Sequence, residues 1–359
     1  MVISRTPMRI SFFGGGTDYP RWYLEHGGAV LATTIDKYCY LTCRYLPPFF
    51  EHEIRLVYSL IENVHSVDDI RHPAVRNVLK FTGFNRGVEI HHVGDLPARS
   101  GMGSSSAFTV GLLHAVKALQ GEMPSKKELA DASIFIEQKM IQETVGSQDQ
   151  MQAAFGGLNH ISFQPNGEIS LRPVTISRER TAELNSHLML FFTGIKRTAS
   201  NVADSYVAEL GARKRQLRIM RDLVEEGLSI LCNGKDIGAF GELLHEAWQA
   251  KRSLSNVVSN EKVDELYDLA RHAGAVGGKL TGAGGGGFML LFVPPERQAA
   301  VRAALGNLVY VPFNFEYSGT QIIFLDRQED YISSELAKGC LQHVVFTELQ
   351  SDQAAAEWH

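Results

Sequence analysis

The stretch Arg99-Ser100-Gly101-Met102-Gly103-Ser104-Ser105-Ser106 could do chemistry: it lies between a strand-like run at 88–93 and a helical pattern over 106–119. A strand, a glycine turn and a helix opened by hydroxyl residues make an anion site. Turn N–H groups and the unpaired donors of the first helical turn converge, and the helix dipole favours negative charge there. Gly101 and Gly103 allow close backbone approach, and a serine hydroxyl can hold a phosphate oxygen or a magnesium ion. No lysine follows the last glycine, which excludes the Walker-A arrangement. A plain turn with serine helix caps would carry the same residues.

Two carboxylates follow: Glu137, in a helical pattern, and Asp149, in a turn after Gly146. One could ligate a hard cation and the other serve as base, or Glu137 could lie on a solvated helix face. Near the N-terminus, Gly14-Gly15-Gly16-Thr17-Asp18 brings a carboxylate and a hydroxyl into a tight turn, as a turn cap or as a grip on sugar hydroxyls. Residues 282–287 hold five glycines in six positions. Gly282, Gly284 and Gly287 have dinucleotide-fingerprint spacing, but the run leads into a strand rather than a helix, so that reading fails. Such a backbone suits contact with a bulky ligand or another loop.

These residues need elements to hold them. Residues 1–45 read as strands separated by the glycine turn, with a break near Asp36-Lys37. Ser125 and Glu128 form a capping-box pattern opening a helix that carries Leu129, Ala132, Ile136 and Met140 at three- and four-residue spacing and stops before Gly146. Asn166-Gly167 predicts a hairpin. The charged stretch 177–185 reads as a domain junction. A strand near 187–194 follows it, then helices to about 272, a strand at 288–293, and strands over 308–325 that close the second domain. A chain of 359 residues is too long for one typical core. The division expected is 1–178, 185–340 and a 341–359 tail.

Lys and Arg number 35 against 40 Asp and Glu, so nothing favours a nucleic-acid partner. Four scattered cysteines give no disulfide framework, and Cys39 and Cys43 read as buried thiols. The N-terminus lacks a signal-peptide pattern, and the longest purely apolar run, 288–293, is far short of a membrane span. A cytoplasmic protein is expected, and nothing stands against a homodimer.

Taken together, "PMRISFFGGGTDYP", "LPARSGMGSSSAF", the Glu137–Asp149 pair and "KLTGAGGGGF" resemble the GHMP kinases, the superfamily of galactokinase, homoserine kinase and mevalonate kinase. The resemblance spans nearly the whole chain. It implies an α+β fold of two domains: a mixed sheet with helices, then a ferredoxin-like domain, with the active site in the cleft between them. It also implies ATP and Mg²⁺. Within the superfamily, "GSQDQMQAAFGGLNHISF" and "TGIKRTA" are most similar to heptose 7-phosphate kinases, which implies anomeric phosphorylation of D-glycero-D-manno-heptose 7-phosphate. Gly15-Gly16 stand where galactokinases carry Glu-His, which argues against galactose.

By that resemblance Asp149 is the catalytic aspartate facing the acceptor hydroxyl, and Arg9 sits near the γ-phosphate. Ser105 and Glu137 hold magnesium. Arg99, Ser100, Gly101, Met102, Gly103, Ser104, Ser105 and Ser106 bind nucleotide. Gly15, Gly16, Thr17, Asp18, Gly284, Gly285 and Arg197, with Lys196 beside it, face the substrate. Two other readings stay open: a 1-kinase for an unphosphorylated sugar such as fucose or mannose, and a sugar- and ATP-binding regulator without catalysis.

Overall fold

The computed structural model describes residues 1–48, 50–98, 100–195, 213–255, 257–326 and 331–340. Its spine is two long strands, β1 (Val2–Phe13) and β2 (Gly28–Tyr45), paired antiparallel from Val2 opposite Cys43 to Phe13 opposite Leu31. The expected break at Asp36-Lys37 is a bulge and not an end: β2 runs through it, while its pairing with β1 steps from Pro7 opposite Tyr38 to Met8 opposite Ile35. Asp36 accepts hydrogen bonds from the Asn314 backbone and side chain and from Lys37, so its charge is satisfied within a continuous strand. Between β1 and β2, Pro20 opens a short helix, α1 (Pro20–His26), that the glycine-turn reading missed; proline at the first helical position has its φ preset for it.

β2 then carries two partners along its length. Its first half pairs with β6 (Leu158–Phe163), which forms the expected hairpin with β7 (Ile169–Pro173), and its second half pairs with β5 (Val88–Gly94). Beyond β5 lie β3 (Ile54–Val57), parallel to it, and β4 (Ile61–Val64), so the sheet is mixed. α2 (Pro73–Phe81) precedes β5, and α3 (Ser104–Leu119) lies across the sheet. Gly111 makes that close packing possible: a Cβ there would stand 2.6 Å from Thr6 Oγ1, and Ser4 donates to the Gly111 carbonyl. The contact fixes where the α3 N-terminus points.

α4 (Lys126–Phe135) has the full Ser125–Glu128 capping box and passes into a π-helical turn, Ile136–Met140. α5 (Gln148–Phe155) follows. The charged junction is itself a helix, α6 (Arg178–Ser186), capped by Ser177 and anchored by buried Leu184.

The second sheet has the order β11-β8-β10-β9, built from β8 (Leu188–Phe192), β9 (Gly277–Leu280), β10 (Phe288–Phe292) and β11 (Val309–Tyr310). Between β8 and β9 run α7 (Lys214–Cys232), α8 (Gly238–Arg252) and α9 (Glu261–His272); α10 (Gln298–Ala304) precedes β11. This is the ferredoxin-like succession of strands and helices. Of the strands expected over 308–325 to close this domain, only β11 does so. β12 (Phe315–Glu316) pairs with β2, and β13 (Gln321–Leu325) pairs with β1 in the first sheet. Thr34 donates to both the carbonyl and the carboxylate of Glu316, whose carboxylate also takes the Ser318 and Gly319 N–H groups, so the return is locked to β2. A last helix, α11 (Ile332–Cys340), follows.

Candidate active site

The left-handed turn at Gly103 (φ +72°) opens α3, and no side chain caps the helix. The serines therefore do not act as caps there, and the first-turn N–H groups remain available to an anion. Arg9 reaches this turn from β1. Its backbone N–H donates to the Met102 carbonyl at 3.0 Å, and its Nη1 donates to the Gly101 carbonyl at 2.7 Å. Its Nε and Nη2 grip Asp149, in the first turn of α5, through two bonds of 2.7 Å. A Cβ on Gly103 would stand 3.1 Å from Arg9 Cγ and 3.5 Å from Asp149 Oδ2, so loop, guanidinium and carboxylate form one cluster. Met102 contributes its carbonyl; its side chain is core. Ser100 is buried with its hydroxyl unpartnered, and Ser104 is half-buried.

Glu137 lies on the π-helical turn, 0% exposed, not on a solvated face. Its Oε2 accepts from Ser106 at 2.9 Å and Gln150 at 2.5 Å, while Oε1 has no partner. Burial pushes its pKa up to about 7 against the hydrogen bonds that lower it. A buried carboxylate with a free oxygen beside a phosphate-type loop fits magnesium, which takes one or two carboxylates and completes its shell with phosphates and water. Among the described residues no group of three acidic, histidine or cysteine side chains forms a metal cage. Ser106, not Ser105, touches Glu137; Ser105 is exposed at the helix mouth.

Asp18 is buried beside this cluster. It accepts from the Gly16 N–H and from Gln148 Nε2, both at 2.9 Å. Desolvation raises its pKa and the charge of Asp149 adds to the rise. Gly146 packs so tightly on Asp18 that a Cβ would overlap the carboxylate. The Thr17 hydroxyl donates to the Gly14 and Ala29 carbonyls, so it is engaged within the turn. Gly15 instead faces Ser11 Oγ and Gln148, whose Oε1, like that hydroxyl, is buried without a partner. Ser11 and Gln148 lie inside the segments that carry the resemblance, yet sequence reasoning gave neither a role.

The second domain meets the phosphate-type loop through Gly282 and Gly287. A Cβ on Gly282 would lie 2.6 Å from Gly101 Cα, and one on Gly287 would overlap the Ser100 carbonyl. Gly284 and Gly285 instead pack on Val258, against their own domain. Lys279, inside the same motif, donates to the Ser11 and Phe12 carbonyls at 2.9 and 2.8 Å and ties the domains together. Lys251 at the end of α8 donates to the Gly282 carbonyl. No motif in the chain marks this lysine. Arg99, Lys196 and Arg197 lie outside the described residues. Cys39 and Cys43 are buried thiols, pushed up to about 12.

Comparison with known proteins joins this geometry to a family. The GHMP kinases N terminal domain matches residues 69–157 and the GHMP kinases C terminal domain matches 220–311. A D-glycero-alpha-D-manno-heptose 7-phosphate kinase of Campylobacter jejuni is 30% identical over 85% of this chain and 93% of its own length. A bifunctional fucokinase/GDP-fucose pyrophosphorylase of Arabidopsis thaliana is 27% identical over 82% of this chain but only 30% of its own length. The crystal structure of a D-glycero-D-manno-heptose 1-phosphate kinase from Bacteroides thetaiotaomicron superposes with a TM-score of 0.75 at 25% identity, over 91% of this chain and all of that one. The chain belongs to the GHMP kinase family and is an ATP-dependent kinase with that family's two-domain fold. Among the described residues no helix is long and apolar enough to cross a membrane.

Proposed function

We propose that this kinase is a sugar kinase transferring the γ-phosphoryl group of ATP to the anomeric hydroxyl of D-glycero-D-manno-heptose 7-phosphate, giving the 1,7-bisphosphate for nucleotide-activated heptose. The observation that carries the reading is the bidentate Arg9–Asp149 pair at the uncapped mouth of α3, in a chain similar to a heptose 7-phosphate kinase over nearly its whole length. Charged substrates of this kind do not cross membranes unaided, which supports a cytoplasmic enzyme.

Phosphoryl transfer passes through a loose transition state, so positioning and charge neutralisation carry the catalysis. The backbone of Ser100, Gly101 and Gly103 and the N–H groups of Ser104, Ser105 and Ser106 receive the phosphates. Arg9 holds Asp149 in orientation and faces the transferring group. Asp149 takes the proton of the acceptor hydroxyl as its oxygen bonds to phosphorus. Glu137, with the Ser105 hydroxyl, would hold magnesium, which supplies neutralising charge to the β- and γ-phosphates. Asp18, Ser11, Gln148 and the backbone at Gly15 and Gly16 line the acceptor side.

A 1-kinase for an unphosphorylated sugar is the second reading, favoured by the similarity to a fucokinase. ADP release with Mg·ATP separates the two over a panel of D-glycero-D-manno-heptose 7-phosphate, the free heptose, mannose, fucose and galactose. Turnover confined to the 7-phosphate and lost in Asp149→Asn is the expected result; turnover on a free sugar overturns the acceptor and keeps the chemistry.

A further inference from the structure

Lys251 is a cation that the scheme above leaves unused. It is 5% exposed, and among the described residues no carboxylate pairs with it directly. Among the described residues its one hydrogen-bond partner is the Gly282 carbonyl, so an ammonium with three donors has a single protein acceptor there. The groups around it are charged. Burial lowers its pKa first, Arg9 lowers it further and Asp18 raises it, while Lys279 is lowered by burial and then by Lys251 and Arg9 against Asp18. Three cations therefore share this region with two carboxylates. Arg9 and Asp149 cancel as an ion pair, and Lys279 spends its donors on two carbonyls of β1. Three cations against two carboxylates leave an excess of positive charge, and of the three Lys251 has neither a carboxylate partner nor a second acceptor among the described residues. Burying an ammonium without an anion costs several kcal/mol, a cost that an arriving anion would offset.

The position says which anion. Gly282, whose carbonyl Lys251 holds, abuts Gly101, whose carbonyl Arg9 holds; a Cβ on Gly282 would be 2.8 Å from that oxygen. The two cations thus hold the carbonyls of two abutting glycines, one in the loop 100–103 and one in the loop 281–287, at the seam to which the kinase reading assigns the donor phosphates. We propose that Lys251 is a phosphoryl-binding residue supplied by the second domain, its ammonium meeting the transferring group opposite Arg9. During transfer the acceptor oxygen–phosphorus bond forms as the phosphorus–ADP oxygen bond breaks. The acceptor proton goes to Asp149, and Lys251 keeps its own. The inference rests on the kinase reading and not on which sugar is the acceptor.

Lys251→Met and Lys251→Arg test it, with kinetics on the acceptor found by the panel and titration of the enzyme with ADP, with and without aluminium fluoride. Lys251→Met is expected to lower kcat on the order of 10²-fold, the effect of removing one donor to a developing charge. ADP–aluminium fluoride binding should weaken in step, ADP alone should bind within about twofold, and Tm should not fall, because an unpaired buried charge has been removed. Lys251→Arg should recover part of the rate. In the wild type, burial and Arg9 depress the Lys251 pKa to about 8, so activity should decline as pH rises through that region, and this limb should vanish in Lys251→Met. Unchanged kcat and aluminium fluoride binding would overturn the proposal. So would a loss of Tm and ADP binding together, which is a structural role, or an effect confined to the acceptor KM. If no sugar on the panel turns over, the acceptor assignment fails, while the aluminium fluoride titration still reports on Lys251.

Discussion

Asp149 and Glu137 lie twelve residues apart and face the same loop, yet the fold treats them in opposite ways. Asp149 is 24% exposed at its side chain and carries its counter-charge within the protein, Arg9 at 2.7 Å. Glu137 is fully buried, has only neutral donors, and keeps one oxygen free. A paired, oriented carboxylate suits proton acceptance from a substrate. An unpaired one in a dry site suits a cation that arrives with its ligand. The two proposed roles rest on that difference, and breaking each carboxylate in turn should give two distinct losses.

The largest loss is expected from Asp149→Asn. Removing a general base costs about 10²–10⁴-fold in kcat, and KM for ATP should move little because no phosphate contact is lost. A single-turnover measurement of ADP formation checks this. Retention of more than a tenth of the wild-type rate would take the base role away from Asp149 and leave it as the anchor of Arg9.

Glu137→Gln should cost less in rate, on the order of 10²-fold in kcat/KM for Mg·ATP, and should gain stability. The sign follows from burial. Below about pH 4.5 the carboxyl is neutral in both folded and unfolded chains; between there and about 7 only the unfolded chain releases the proton, so folding stability falls as pH rises through that window. The fall is about 3 kcal/mol if the whole shift is realised, and flat above it. Thermal melts from pH 4.5 to 8 should show the slope in the wild type and not in Glu137→Gln. Adding magnesium to the ADP complex should raise the wild-type Tm further by mass action and leave the variant's ADP complex unmoved. A variant that still responds to magnesium would place the ion elsewhere.

Much of this site was legible as sequence because its parts are local. The Gly101–Ser106 run, the Ser125–Glu128 cap and the Asn166-Gly167 hairpin each follow from neighbours in the chain, and the structure has all three. What stayed hidden depends on distance. The return of β12 and β13 to the first sheet is decided by Thr34 and Glu316, 282 residues apart. Lys251 becomes a site residue only because α8 ends against Gly282, and nothing in "AWQAKRSL" marks it. Gly284 and Gly285 look equivalent to Gly282 in sequence, and only packing shows which of them meets the phosphate-type loop. Glu137 was read as a helical residue; the π-helical turn that carries it inward has no signature in residue types.

The comparison sharpens at the smallest scale between two adjacent serines. Ser106 donates to Glu137 at 2.9 Å in a buried site, whereas Ser105 is exposed at the helix mouth. A buried hydrogen bond to a charged acceptor contributes about 1.5–3 kcal/mol. Ser106→Ala should therefore lower stability by about 1–2 kcal/mol, less than that range because Gln150 still serves the same oxygen. Its effect on turnover at saturating Mg·ATP should be small. Ser105→Ala touches nothing buried, so stability should change by less than about 0.5 kcal/mol, and KM for Mg·ATP should rise severalfold if its hydroxyl ligates the ion. Urea melts and Mg·ATP titrations of the two variants decide the matter. If Ser106→Ala is the one that raises KM, then the hydroxyl already bonded to Glu137 is the metal-side ligand, and the helix turns its second rather than its third serine toward solvent.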